Sequence, residues 1–180
     1  MKTKNMVFTA LFAALICVMS PFSIPVGPIP ISLATLAIYM TAAVLKPKQS
    51  VMAVFVYILL GAFGIPVFAG WTGGFAKVAG VTGGYIIGYL PCALAIGFLI
   101  DKNSNKKWIY PLSMAVGTIL LYAVGTVWFM MQTNNSLTAS LAICVVPFLT
   151  GDVIKIVTAS IIAPTVRRAV ERYSLAAAAQ

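Results

Sequence analysis

Long apolar runs, separated by short polar or Gly/Pro-rich breaks, follow one another along the whole chain. Six are marked, at about 6–23, 29–45, 51–68, 78–100, 108–131 and from 137 to 166. The third is apolar to Phe63 and then continues through a Gly/Pro-broken stretch. A membrane-spanning helix needs about 20 residues, so runs of this length predict spanning helices. The last run is too long for one straight span, and it contains Pro147 and Gly151. It is divided into a short helix over 137–146 and a spanning helix over 148–166, with a kink expected at Ala163-Pro164.

Composition agrees with that pattern. The 180 residues are 61% hydrophobic and 8% charged, against roughly 25% charged in an ordinary soluble domain. A soluble fold cannot hide so much apolar surface, which excludes a soluble enzyme or nucleic-acid binder. Six helices take about 120 residues and leave about 60 for loops and tails. The fold class expected is therefore all-α, a single six-helix membrane domain over 1–180 with membrane lipid as its surroundings. The Lys2/Lys4 start before an apolar run imitates a signal peptide. No A-x-A-like site follows, so the run reads as a first helix that is retained.

Charge fixes the expected orientation. With the N-terminus in the cytoplasm and six crossings, the inner segments hold Lys2, Lys4, Lys46, Lys48, Lys102, Lys106, Lys107, Arg167, Arg168 and Arg172, ten of the twelve basic residues. The outer segments 21–30, 64–77 and 132–136 hold only Lys77. This is the positive-inside pattern with both termini cytoplasmic. It accounts for the net charge of +9 without a nucleic-acid partner. With no histidine and three acids, Asp101, Asp152 and Glu171, neither acid–base catalysis nor a His-based metal site is expected, and no cofactor is called for. Cys17, Cys92 and Cys144 lie in separate apolar runs and read as small core residues.

Orientation leaves Lys77, Asp152 and Lys155 unexplained. Asp152 and Lys155 fall three apart and share one helix face. A charge inside a membrane helix costs about 2.5–3.5 kcal/mol on insertion scales, so such groups face a cavity or each other. For a helix starting near Phe148 they lie about 6 and 11 Å from its outer end. Two readings stand together: an ion pair that holds the bundle, and a site for a small polar molecule entering from outside.

A second feature is the run of eight glycines from Gly61 to Gly84, with Gly73-Gly74 and Gly83-Gly84 pairs and Phe68, Trp71 and Tyr85 between them. Broken backbone at membrane depth is tolerated when it lines a cavity or is buried in protein. Aromatic walls with a few polar groups suit a small-molecule pocket, and close helix packing is the alternative. A third feature, Ala10 and Ala14 on the first helix, makes a small-xxx-small patch for packing or for a partner.

Taken together, Gly64-Ile-Pro66-Val-Phe68-Ala-Gly70, Gly73-Gly74, Thr82-Gly83-Gly84-Tyr85 and Pro147-Phe148 followed by Gly151-Asp152 and Lys155 resemble the BioY family, the biotin-binding S components of energy-coupling factor (ECF) transporters. The likeness covers nearly the whole chain. Val81, Thr150 and Ala34 stand where the family often has proline, proline and glutamine. The resemblance implies capture of biotin from the extracellular side, with a transmembrane T component and two ATPase subunits as partners. It implies a substrate site of Asp152, Lys155, Tyr85, Trp71, Phe68, Gly73, Gly74, Gly83, Gly84, Thr35 and Lys77. Ala10 and Ala14 resemble the surface that meets the T component. Biotin's ureido group would meet Asp152 and Lys155, its ring and chain the aromatic residues, and its carboxylate Lys77 or the Gly73-Gly74 backbone. An S component for another vitamin, such as thiamin or riboflavin, and a proton-coupled transporter using Asp152 are the alternatives. A membrane enzyme acting on lipid would need more carboxylates or a histidine.

Overall fold

The computed structural model describes residues 3–25, 28–104 and 106–176. Lys2, Val26 and Gly27, and the last four positions of the expected domain, lie outside them. The described residues form α1 (Thr3–Met19), a hairpin of β1 (Ser23–Ile24) and β2 (Ile31–Ser32), α2 (Ala34–Val44), α3 (Pro47–Ala62), α4 (Phe75–Ala79), α5 (Gly83–Lys102), α6 (Ile109–Thr133), α7 (Leu137–Cys144) and α8 (Val146–Ala176). Three helices, α5, α6 and α8, are long and apolar enough to cross a membrane by themselves; α1, α2 and α3 are shorter apolar helices.

Helix α1 buries Thr9, Phe12, Ala13 and Ile16, a three-to-four spacing that turns one face inward. Its other face exposes Val7, Ala10, Leu11, Ala14 and Val18. Helices α5 and α6 pack closely because Gly83, Gly84, Gly88, Gly117 and Gly125 lie between them. A Cβ on Gly84 would sit 2.3 Å from Trp128 Cβ, and one on Gly117 2.6 Å from Ile96.

The element bounds differ from the apolar runs where proline and glycine intervene. The run at 29–45 contains helix only over Ala34–Val44. Ile31–Ser32 is instead extended and pairs antiparallel with Ser23–Ile24, as Pro28 and Pro30 disfavour helix at themselves and before themselves. The first helix stops at Met19 rather than 23, ahead of Pro21. The third stops at Ala62, where Gly64 has φ +99°, and Phe68 and Thr72 close a tight turn by exchanging backbone hydrogen bonds of 2.8 and 3.3 Å. The run at 78–100 is split by Gly80 into α4 and α5. The short helix at 137–146 ends at Cys144, and α8 starts at Val146 with Pro147 in its first turn, where no N–H is needed. Helix α8 continues through Pro164 to Ala176, ten residues beyond the expected end.

Arg167 therefore sits within a helix and not on a tail. It is buried, and its guanidinium donates to Asp101 Oδ1 (3.1 Å), Glu171 Oε1 (2.8 Å) and the Ala43 carbonyl (3.3 Å). One cation thus ties the last turns of α2 and α5 to α8, at the end of the bundle far from Asp152.

Candidate substrate site

The site is built where the first turn of α2 and the second and third turns of α8 meet the middle of α6. Asp152 and Lys155 are both buried, and Lys155 Nζ lies 3.0 Å from Asp152 Oδ1. Thr35, on the first turn of α2, stands between them. It accepts from Lys155 Nζ at 2.8 Å and donates to Asp152 Oδ1 at 3.3 Å. The other carboxylate oxygen, Oδ2, accepts from the Tyr122 hydroxyl at 2.6 Å. Both charges are thereby paired and hydrogen-bonded, which is what makes a buried ion pair tolerable. Lys155 has three N–H donors, of which two are used. With α8 starting at Val146, Asp152 and Lys155 lie about 9 and 14 Å along it, deeper than a start at Phe148 gives.

A cavity of about 40 Å³ opens on this cluster, lined by Thr35, Tyr85, Tyr89, Tyr122, Asp152 and Lys155 together with the hairpin. A second, of about 90 Å³, adjoins it and is lined by Ser20, Tyr57, Phe68, Thr72, Lys77 and Thr82 among others. Ile29, Pro30, Ser32, Tyr85 and Tyr89 line both, so the two form one cleft. Charged groups lie at one side, aromatic rings along the walls, and the exposed Lys77 at the other side.

Each wall residue has a local reason for its place. Tyr85 donates its hydroxyl to the Cys144 carbonyl at the end of α7 and stacks on Phe148, with centroids 6.2 Å apart. Its ring lies over Gly125, where a Cβ would come within 2.5 Å. Phe68 is buried over Gly61 and meets Tyr57 edge-on at 5.5 Å, and Tyr57 is in turn hydrogen-bonded to Ser20.

The cleft thus brings together Asp152, Lys155, Thr35, Tyr85, Phe68 and Lys77. Trp71 is not part of it. At φ +57° in its turn, Trp71 is 62% exposed and packs edge-on against Phe22. The four paired glycines do not line it either. Gly73 abuts the Ile65 carbonyl, Gly74 has φ +99° and gives its N–H to Gly61 O at 2.7 Å, and Gly83 and Gly84 seat α5 on Val78 and Trp128. Small size and backbone freedom are used here for packing, the alternative already open in the sequence. Contributors not singled out from sequence include Tyr122, Tyr89, Ser32 and the Ile29-Pro30 segment. Tyr85 and Tyr89 lie four apart on α5, a spacing that puts both on one face. For the hairpin, the proline spacing was the available signal.

The sequence model of the BioY family matches residues 1–172. The biotin transporter BioY of Thermotoga maritima is 37% identical over 160 residues, 89% of this chain and 94% of its own length. Biotin transporter BioY2 of Lactococcus lactis subsp. cremoris is 34% identical over 89% of this chain and 88% of its own. Among solved structures, the crystal structure of the S-component for biotin from an ECF-type ABC transporter superposes with a TM-score of 0.86. It is 31% identical, and the match covers 93% of this chain and 92% of that one.

Proposed function

We propose that this chain, which belongs to the BioY family, is a membrane S component that captures biotin in the cleft beside Asp152 and Lys155. The observation that carries the reading is the buried Asp152–Lys155–Thr35–Tyr122 cluster at the end of an aromatic-walled cleft. Biotin's ureido ring offers two N–H donors and one carbonyl acceptor. A carboxylate beside an ammonium with one N–H left over complements that pattern. The thioether ring and valeryl chain fit against Tyr85, Tyr89 and Phe68. The carboxylate is directed toward Lys77, since the Gly74 N–H is already held by Gly61 O.

The experiment is a titration of the detergent-purified chain with biotin, thiamin and riboflavin in parallel. Saturable binding of biotin alone is expected. Tighter binding of either other vitamin would reassign the substrate.

The topology proposed is six crossings with both termini cytoplasmic, supported by the placement of ten of the twelve basic residues. The short α2 is completed by the extended β2 segment, with Ser32 buried and Ile31 half-buried against protein, where non-helical backbone is tolerated in a membrane. Single cysteines at Lys48 and Asn134 test it with an impermeant reagent. Labelling at Asn134 and protection at Lys48 are expected in intact cells, and the reverse pattern would sink the topology.

Uptake is proposed to be energised by a separate transmembrane T component with two ATPase subunits, making this chain a carrier of specificity and not an enzyme. The exposed stripe of Ala10 and Ala14, flanked by Val7, Leu11 and Val18, is the surface proposed to meet the T component. Ala14→Trp is expected to abolish co-purification with a T component while leaving biotin binding at wild-type strength. Recovery of the whole complex with the variant would remove this stripe from the interface.

A further inference from the structure

We propose that a basic cavity at the end of the bundle far from Asp152 holds the phosphate of an anionic phospholipid. The cavity, of about 170 Å³, lies between the loop after α5, the first turn of α6 and the last turns of α8. It is lined by Ser104, Lys107, Tyr110, Arg167, Arg168 and Glu171. That volume is roughly ten times what a single water requires. Nothing in the cleft described above uses these residues.

Three observations point to an anion. First, Lys107 and Arg168 have no carboxylate partner among the described residues, whereas Glu171 is already bound by Arg167 at 2.8 Å. Second, Arg167 is 6% exposed and uses three of its five N–H groups on Asp101, Glu171 and the Ala43 carbonyl. The network fixes its guanidinium in place with donors remaining. Third, Tyr110 is 3% exposed, lines the cavity, and its hydroxyl has no hydrogen-bond partner among the described residues. The hydroxyl is open to the cavity, where it is free to donate to a phosphate oxygen beside the two unpaired cations.

The surroundings favour a lipid over a free phosphate. Trp108, 58% exposed with Lys106 Nζ 5.9 Å from its ring centroid, stands at the N-cap of α6, as aromatic residues do at the headgroup level. Beyond the cavity, α6 exposes Leu112 and Val116, and α8 exposes Ile161 and Ile162, so a headgroup held there continues along apolar surface. Basic pockets between membrane helices recognise anionic headgroups in this way. The proposal depends on the chain lying in a membrane and is independent of biotin binding.

The test is native mass spectrometry of the delipidated full chain with phosphatidylglycerol and phosphatidylcholine of identical acyl chains. Phosphatidylglycerol is expected to be retained about tenfold more than phosphatidylcholine. The double variant Lys107→Gln with Arg168→Gln is expected to lose that preference. Lys102→Gln with Lys106→Gln, an equal change of charge, is expected to keep it. Tyr110→Phe, which removes one hydroxyl and leaves the ring in place, is expected to lower the preference with biotin titration unchanged. Equal retention of the two lipids by the wild type, or identical behaviour of the two double variants, overturns the site. Displacement of phosphatidylglycerol by millimolar inorganic phosphate overturns the lipid assignment in favour of a free anion.

Discussion

Replacing Asp152 by asparagine is expected to weaken biotin binding by about ten- to a hundredfold or more. The change preserves shape but removes the charge. A hydrogen bond to a charged group is worth roughly 1.5–3 kcal/mol, and each 1.4 kcal/mol is about tenfold in affinity. Asparagine keeps one acceptor oxygen and places an NH2 donor where the other carboxylate oxygen stood, so either Thr35 or Tyr122 loses its acceptor, and the Lys155 ammonium is left buried without its counter-charge. Breaking a buried pair on one side commonly costs about 3–5 kcal/mol, and part of the loss in the single variant is therefore folding. The double variant Asp152→Asn with Lys155→Met separates the causes by removing both charges. It is expected to regain thermal stability toward the wild type and still fail to bind. Calorimetric titration of the detergent-purified double variant decides the matter: near-wild-type biotin affinity would falsify the assignment of the pair to the substrate.

The second large effect is expected from Gly84→Val. A Cβ at this position lies 2.3 Å from Trp128 Cβ and 3.1 Å from the Val124 carbonyl oxygen, so α5 and α6 must separate or tilt. Overpacking of this kind costs about 1–3 kcal/mol or more. Tyr85 follows Gly84 directly, and Trp128 holds the Gly80 carbonyl at 2.9 Å through its indole N–H. Movement here displaces the wall of the cleft as well. A thermal midpoint lowered by about 5 °C or more, together with weaker biotin binding, is expected. Gly151→Ala is the contrast. It is also a helical glycine and lies next to Asp152, but its nearest foreign atom is Ile31 Cγ2 at 3.8 Å. Its midpoint is expected to hold or rise, because alanine is the better helix former by about 1 kcal/mol. Equal midpoints for the two variants would show that the helix contact at Gly84 yields freely.

The legible parts of the site are those where a residue type is costly in its surroundings. Asp152 and Lys155 stand out because charge is rare in an apolar run, and a spacing of three already joins them. Tyr122 does not stand out, since a tyrosine in a membrane helix is unremarkable until Asp152 is found 2.6 Å from its hydroxyl. Thr35 is a similar case, small and weakly polar, and its place between the two charges comes from the packing of α2 on α8. The glycines show the opposite difficulty. Gly73, Gly74, Gly83 and Gly84 mark where chains approach closely or turn, but glycine does not state whether its neighbour is a ligand or another helix. The long apolar helix α6 was legible nearly to its ends, whereas α5 starts at Gly83, well inside its apolar run. The second run was not legible to its start, because Ile29–Ser32 is as apolar as the helix after it. Pro28 and Pro30 argue against helix there, and the pairing of Ile31–Ser32 with Ser23–Ile24, a contact across the hairpin, makes the segment a strand.

The Thr35 bridge has a consequence for how the protein is made. It joins residues 117 and 120 positions apart, whereas the Asp152–Lys155 contact spans three. At roughly 5–20 residues per second, Thr35 is added to the chain some 6–23 s before Asp152. During that interval the first turn of α2 has neither of its partners from α8. The ion pair, being local to α8, neutralises itself as that helix enters the bilayer and lowers the cost of inserting two charges. Thr35 and Tyr122 then close around a pair that already exists. Chains truncated before α8 cannot hold the site at all, so ligand binding by a nascent population reports completed synthesis and not partial folding.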